Sequence, residues 1–413
     1  MAMDCERSSR QLAQSPSMGR IQALDQFRGY TVLAMFVVNF LSRFDAIPST
    51  FKHHNTYCSF ADTVMPQFFF AVGFAYRLTL LRRLQTQGPW VAYSRAIRRN
   101  LGLILLGIVI YHLNGRAANW SELQEMGIVG FFRQALLRDP FETLVHIGVT
   151  AIWVMPVIAA GATARIAFAA FSAALHLLLS YLFYFRFAMT SPVIDGGPLG
   201  FLTWSIPMLV GSLAYDVVTS KDGGSTRPKA LVSTAIQTFS WGLVLMAVGY
   251  GLSCLSTLYD APGLTDEEAG VPALAENPVW PLPDKSAGRE WSTLLAEPPL
   301  EPATRERYSN YWMMSQRGGT LSYLIFGAGV SLGLYALFVL ACDLGPFRLG
   351  IFRTFGNNAL AAYIIHQLVE GAMKPYTPRD SPLWFALASF ALFLGICYLF
   401  VRHLEKNNLF LRM

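Results

Sequence analysis

Apolar runs long enough to cross a lipid bilayer constrain this 413-residue chain more than any other feature. A membrane-spanning helix needs about 20 mostly apolar residues. Ten candidate runs lie at roughly 29–45, 60–81, 100–113, 142–161, 164–185, 199–218, 232–257, 320–342, 356–373 and 383–401. The third is short and the ninth amphipathic, so the count is nine to eleven. Backbone inside a bilayer must bond to itself, and the alternating pattern of barrel strands is missing. The expectation is an all-α polytopic membrane protein, with about ten transmembrane helices in one bundle. Composition agrees, because 53% of residues are hydrophobic and only 14% are charged. An ordinary soluble domain carries roughly 25% charged residues. A disordered chain is therefore excluded and a soluble enzyme disfavoured. Five Cys at no regular spacing read as free thiols rather than a disulfide scaffold.

The net charge of +6 is explained by topology rather than by nucleic acid. Connections on the side of the N-terminus hold 19 Lys and Arg against 13 on the other side. Long loops count for little in this bias. Without the long 259–318 segment the second figure falls to 8. Both termini are thus expected in the cytoplasm. Residues 1–19 read as a cytoplasmic tail with no cleavable signal peptide, and 20–410 as the membrane domain. The stretch Trp120 to Leu137 is amphipathic and expected at the outer surface. Residues 259–318, with eight Pro and ten Asp or Glu, are too polar to span. They read as an extracytoplasmic lid or a mobile loop. The Arg77, Arg82, Arg83, Arg95, Arg98 and Arg99 cluster is first a topology signal, and second a patch for a phosphorylated ligand.

Polar residues at membrane depth are costly, so they point to function. Asp25 and Arg28, three apart, share a helix face where the first run enters the membrane. An ordinary helix start, with Asp25 near the positive dipole end, accounts for them equally well. Asn39 interrupts an apolar run and needs a partner, structural or substrate. His53 and His54 lie at the mouth between the first two runs, and Asp62 enters the second. Imidazole titrates near neutrality and suits general base work. A carboxylate beside it can orient the ring or hold its charge. A solvated loop histidine is the plainer alternative.

These blocks resemble the membrane acyltransferases typified by heparan-alpha-glucosaminide N-acetyltransferase. That family carries L-D-x-F-R-G-x-T, a V-N pair, K-H and then A-D-x-x-F-P. Here the matching stretches are Leu24-Asp25-Gln26-Phe27-Arg28-Gly29-Tyr30-Thr31, Val38-Asn39, Lys52-His53 and Ala61-Asp62-Thr63-Val64-Met65-Pro66. Ser205-Ile206-Pro207, Gln316-Arg317 before Ser322-Tyr323, and Gly356-Asn357-Asn358-Ala359-Leu360 are similar to later family motifs. The resemblance covers 20–410, but only its first 75 residues are specific. The family's W-N-G is replaced by Asn55-Thr56-Tyr57-Cys58, one residue shorter between His and Asp. His53 or His54 therefore aligns with the catalytic His, and Lys52 favours His53. The large lumenal N-terminal domain of the animal enzyme has no counterpart here, which allows an acceptor other than heparan sulfate glucosamine.

The resemblance implies transfer of an acetyl or other acyl group from cytoplasmic acyl-CoA. The acceptor would be an extracytoplasmic amino sugar or related glycan. His53 or His54 would act as base or acyl carrier, Asn39 would polarise the thioester, and Asp62 would fix the imidazole. Asp25, Arg28, Arg77, Arg317 and Asn358 are the candidate acetyl-CoA contacts. Membrane lipids and a homodimer are the expected partners, with no nucleic acid and no metal. His112, His146 and His176 read as hydrogen-bonded core residues. His366 and Glu370, at i and i+4, can bond each other. Asp216 reads as a cap on the sixth run. Asp195-Gly-Gly-Pro198 reads as a turn lining the outer vestibule. The rival function is a secondary transporter without acyl chemistry, against which no paired broken helices are seen. A structural membrane protein without chemistry is the third class.

Overall fold

The computed structural model describes residues 21–112, 117, 119–137, 141–219, 227–261, 273–280, 295–301 and 306–411. The expected tail at 1–19 and much of the 259–318 insertion lie outside them. Among the described residues there are twelve α-helices and no named strand. They are α1 (Gln22–Leu41), α2 (Phe60–Gln87), α3 (Pro89–His112), α4 (Trp120–Leu137), α5 (Thr143–Ile158) and α6 (Ala162–Thr190). The others are α7 (Phe201–Thr219), α8 (Arg227–Ser253), α9 (Leu321–Phe338), α10 (Gly350–Asn357), α11 (Ala359–Met373) and α12 (Leu383–Lys406). The all-helical expectation holds.

Among the described residues, six helices (α2, α6, α7, α8, α9 and α12) are long and apolar enough to cross a membrane. The other expected spans are also helical. However, α5 has 16 residues and α11 has 15. At 1.5 Å per residue these reach only about 24 Å, short of a hydrocarbon core of about 30 Å. Asp25, Arg28 and Asn39 dilute α1, and the Arg cluster dilutes α3. The ninth run is broken, because Asn358 leaves helical geometry (φ −125°, ψ 44°) and separates α10 from α11.

The six long helices divide by burial. In α2, α7 and α9, 67% of the apolar window is buried, against 17%, 22% and 28% in α6, α8 and α12. The first three form the middle of the bundle, and the others turn apolar faces outward. Without a hydrophobic drive between helices in lipid, close approach depends on small residues. On α2, a Cβ at Gly73 would stand 1.8 Å from the Met208 carbonyl oxygen of α7. A Cβ at Gly211 of α7 would stand 2.0 Å from that of Phe70. The same reciprocal contact joins α1 to α10, where a Cβ at Gly29 would meet the Phe352 oxygen at 1.8 Å and one at Gly356 the Asp25 oxygen at 2.2 Å. No other residue fits these crossings.

Buried charges need partners. The Arg77 Nε donates to Asp216 at 2.6 Å, and its Nη1 donates to the Ile158 carbonyl at 2.6 Å. Arg165 pairs with the other Asp216 oxygen. Asp216 thus ties α2 and α6 to α7, beyond the cap expected of it. In the described parts of the insertion, Arg307 pairs with Asp260 and Glu297, each at 3.0 Å. Leu300 N–H donates to the Cys58 carbonyl at 3.0 Å. The Leu300 bond ties these parts to the loop that leads into α2.

Candidate active site

The loop after α1 is organised by the start of α2. Ser59 is the N-cap, and Ser59 with Asp62 forms a capping box. The Asp62 Oδ2 accepts the Ser59 N–H at 2.9 Å and the His54 N–H at 3.3 Å. Its other oxygen, Oδ1, faces the His53 Nδ1 at 2.9 Å. Asp62 is buried, and the Tyr323 hydroxyl donates to its backbone carbonyl at 2.7 Å. One carboxylate therefore caps the helix, closes the loop and orients an imidazole. A carboxylate accepts, so His53 Nδ1 carries hydrogen, and in the neutral ring Nε2 is the basic nitrogen.

Most of the ring's surroundings are protein, yet 47% of the His53 side-chain surface stays open, toward a cavity. Burial acts to lower its pKa. The Asp62 hydrogen bond and charge, the Asp195 charge and a Gln316 hydrogen bond outweigh it and raise the pKa above the ordinary value. Gln316 is itself held, its Nε2 donating to Asp195 Oδ1 at 2.5 Å. Asp195 sits in left-handed backbone (φ 53°), followed by Gly196 (φ 85°) and Gly197 (φ 57°). The Trp204 indole N–H donates to the Asp195 carbonyl at 2.7 Å and fixes this turn. Of the turn expected at 195–198, Asp195 lines the cavity.

His54 is engaged differently. Its Nε2 donates to the Ser49 carbonyl at 2.9 Å, and its ring stacks on Tyr57 with centroids 4.2 Å apart. Both histidines line the cavity, but the carboxylate orients only His53. Cys58 beside them is fully buried, and burial pushes its thiol well above the usual range.

The His53-end cavity measures about 570 Å³ and is also lined by Asn39, Phe68, Asp195, Gln316 and Arg317. A second cavity of about 670 Å³ lies at the other end of α1. Asp25, Arg28, Arg83, Arg99 and Asn357 line it. Arg28 and Arg83 act on Arg99 as like charges, so this cavity gathers positive charge suited to an anion, with Asp25 beside it. Arg28 and Asn39 are eleven residues apart on one helix, so about 16 Å of axis separates them. Phe68 of α2 lines both cavities.

The candidate residues thus fall into two groups, with some outliers. His53, His54, Asn39 and Arg317 line one cavity, with Asp62 behind His53. Asp25 and Arg28 line the other. Arg317 therefore lies away from Arg28, its guanidinium donating to the Ala188 and Ser191 carbonyls. Arg77 stands outside both, committed to Asp216. Asn358 is buried and clasps the tail, donating to the Leu409 carbonyl at 3.0 Å and accepting from Leu411 N–H at 3.3 Å. Its neighbour Asn357 lines the cavity instead. His366 bonds Asn39 across the bundle at 3.3 Å, not Glu370. His176 has its expected core bond, to the Tyr311 hydroxyl at 2.8 Å. His146 has none among the described residues. Phe68 was not singled out in the sequence, because one aromatic in Gln67-Phe68-Phe69-Phe70 carries no mark of which face it occupies.

Among curated proteins, none matches the chain. A family model, heparan-alpha-glucosaminide N-acetyltransferase, catalytic, matches residues 20–249. That span holds α1 to α7 and most of α8, including the His53–Asp62 pair, Asn39 and Arg28. Together with its apolar helices, the match makes the chain an integral membrane protein of an acyltransferase family. It belongs to the heparan-alpha-glucosaminide N-acetyltransferase catalytic family.

Proposed function

We propose that the chain moves an acetyl group from cytoplasmic acetyl-CoA to an amino sugar or related glycan on the far side of the membrane. The observation that carries this is the pair of cavities sharing Phe68, one with a carboxylate-oriented imidazole and the other with three Arg. Acetyl-CoA would set its phosphates among Arg28, Arg83 and Arg99, with Asp25 and Asn357 beside them. Its pantetheine arm would run along α1 past Phe68 and bring the thioester to Asn39. Both termini are then cytoplasmic, as the charge bias favours, and α1, α3, α5 and the α10–α11 pair complete a bundle of about ten spans. A homodimer belongs to the same reading through the family resemblance.

The chemistry follows from the two sides. An acceptor amine attacks the thioester carbonyl while His53 Nε2 takes its proton. Asn39 donates to the oxygen as negative charge develops. The C–N bond forms, the C–S bond breaks, and the CoA thiolate recovers the proton from the imidazolium. Asp62 holds the ring and its transient charge throughout. His53 is preferred to His54 because the Nε2 of His54 is already donating to Ser49.

The test is transfer of labelled acetyl from acetyl-CoA to glucosamine by protein reconstituted in vesicles, the two substrates on opposite sides. Labelled N-acetylglucosamine should form in the acceptor compartment. Movement of glucosamine without acetylation would give the case to the transporter. A label trapped on His53 without acceptor would assign it the acyl carrier role.

A further inference from the structure

We propose that His366 is a positioning residue for Asn39, fixing which end of the Asn39 amide points at its ring and so which groups face the His53-end cavity. The proposal rests on the acyl-transfer reading above. Asn39 lines that cavity, whereas His366 is fully buried behind it on α11. The His366 Nδ1 lies 2.5 Å from the Tyr363 carbonyl oxygen. A carbonyl only accepts, so Nδ1 carries the hydrogen. In the neutral imidazole Nε2 is then an acceptor. Nε2 is 3.3 Å from the Asn39 amide, which must therefore offer it an N–H and not its carbonyl.

The consequence reaches the reaction. An asparagine amide turned end for end occupies nearly the same volume but exchanges donor for acceptor. Held by one N–H to His366, Asn39 keeps a second N–H and its carbonyl for the cavity. The N–H is what an oxyanion needs, and an amide free to turn would spend part of its time presenting the carbonyl there instead. The ring that does the holding is itself fixed. It stacks on Phe36 with centroids 5.3 Å apart and meets the Tyr363 ring edge-on at 5.2 Å. Phe36 and Asn39 lie three apart on α1, so one helix supplies both the seat for the ring and the amide it orients.

Two measurements test this. The first is a kinetic cycle in reconstituted protein. His366→Phe keeps a stacked ring but removes the acceptor, and kcat should fall about tenfold to a hundredfold, within the loss expected for an oxyanion donor. KM for acetyl-CoA should stay within about twofold, because that contact lies at the other end of α1. His366→Gln, whose carbonyl can accept from Asn39, should recover most of the rate. In an Asn39→Ala background, His366→Phe should cost nothing further. Losses that multiply, or a loss confined to KM, would overturn the proposal. The second measurement is 15N NMR of protein labelled at histidine. Besides His53, which Asp62 also holds with hydrogen on Nδ1, a neutral ring should carry its proton on Nδ1, vanish in His366→Gln and shift its Nε2 resonance in Asn39→Ala. A His366 protonated on Nε2, or one indifferent to Asn39→Ala, would overturn the pairing. Absence of acetyl transfer by the wild-type protein would sink the acyltransferase reading alone, because the NMR signature is decided without turnover.

Discussion

The two cavities share Phe68 and little else. The His53 end is built from loops held by side chains: a capping carboxylate, a strained Asp-Gly-Gly turn and a Gln fixed between them. The Arg28 end is built from helix faces brought together by glycine, where Gly29 and Gly356 let α1 and α10 touch backbone to backbone. A network of hydrogen bonds sets an imidazole to within a fraction of an ångström, which proton transfer needs. A helix crossing sets charges on a surface, which suffices for an anion. The two ends should therefore fail in different ways, His53-end variants losing rate and Arg28-end variants losing binding or stability.

The largest separation is expected at His53. His53→Ala should lower acetyl transfer by about 10² to 10⁴, the usual loss of a general base. Binding of acetyl-CoA, measured by titration calorimetry, should be unchanged. His54→Ala should keep activity within a few-fold, because it loses only a bond to Ser49 and a stack on Tyr57. The opposite ranking of the two variants would move the base by one residue.

Arg28→Ala is the counterpart at the other end. A charge-assisted hydrogen bond contributes roughly 1.5–3 kcal/mol. Its loss should weaken acetyl-CoA binding about tenfold to a hundredfold, with kcat at saturating acetyl-CoA little altered. Arg77→Ala should behave differently, since it breaks a half-buried pair with Asp216. It should lower the melting temperature while acetyl-CoA affinity in the folded fraction stays near normal. Equal losses of affinity in the two variants would erase the distinction between cavity and staple.

The helix crossing gives a smaller effect. Gly356→Ala places a methyl group 2.2 Å from the Asp25 carbonyl, so α10 must move off α1. Overpacking of this kind costs about 1–3 kcal/mol. The melting temperature in detergent should fall, and acetyl-CoA affinity should fall with it, while the pH profile set by His53 stays as it was. A changed pH profile would mean that the two ends are not built independently.

The sequence disclosed these ends unequally. His53 and Asp62 are nine residues apart, and Ser59 with Asp62 is a local capping signal, so their partnership could be read from one loop. The turn at Asp195-Gly196-Gly197 was legible from composition for the same reason. Asn39 and His366 are 327 residues apart, and nothing local to either says that they meet. The His366–Glu370 spacing even suggested a different bond. The Arg cluster at 77–99 showed that positive charge gathers there, but not that Arg83 and Arg99 face a cavity while Arg77 turns to Asp216. Helix number was matched only in part, six of the expected runs forming helices long and apolar enough to span, because hydropathy counts apolar residues without regard to how many form one straight helix. Asn358 breaks the ninth run, and the fourth yields only the 16 residues of α5.

The finest test of the comparison is the pH dependence of transfer, which only the His53 end should govern. The Asp62 hydrogen bond and charge, with Asp195 and Gln316, raise the His53 pKa against the effect of burial. A base must be neutral to accept a proton. Activity should therefore be low when His53 is protonated and rise as pH passes through its raised pKa. The inflection in kcat/KM should lie above the value of about 6.5 for an unperturbed histidine. Asp62→Asn removes the charge and keeps the shape of an acceptor, so the inflection should move to lower pH while the maximum rate falls. The stability link has the same origin and the opposite sense. A histidine whose folded pKa is raised contributes stability that is fully present below its unfolded pKa and is lost as pH rises through the folded one. Wild-type protein should accordingly give up a little melting temperature over the same interval in which it gains activity, and Asp62→Asn should flatten that slope. Arg28→Ala should leave both curves in place. An inflection that follows Arg28, or ignores Asp62, would detach the pH profile from the imidazole pair.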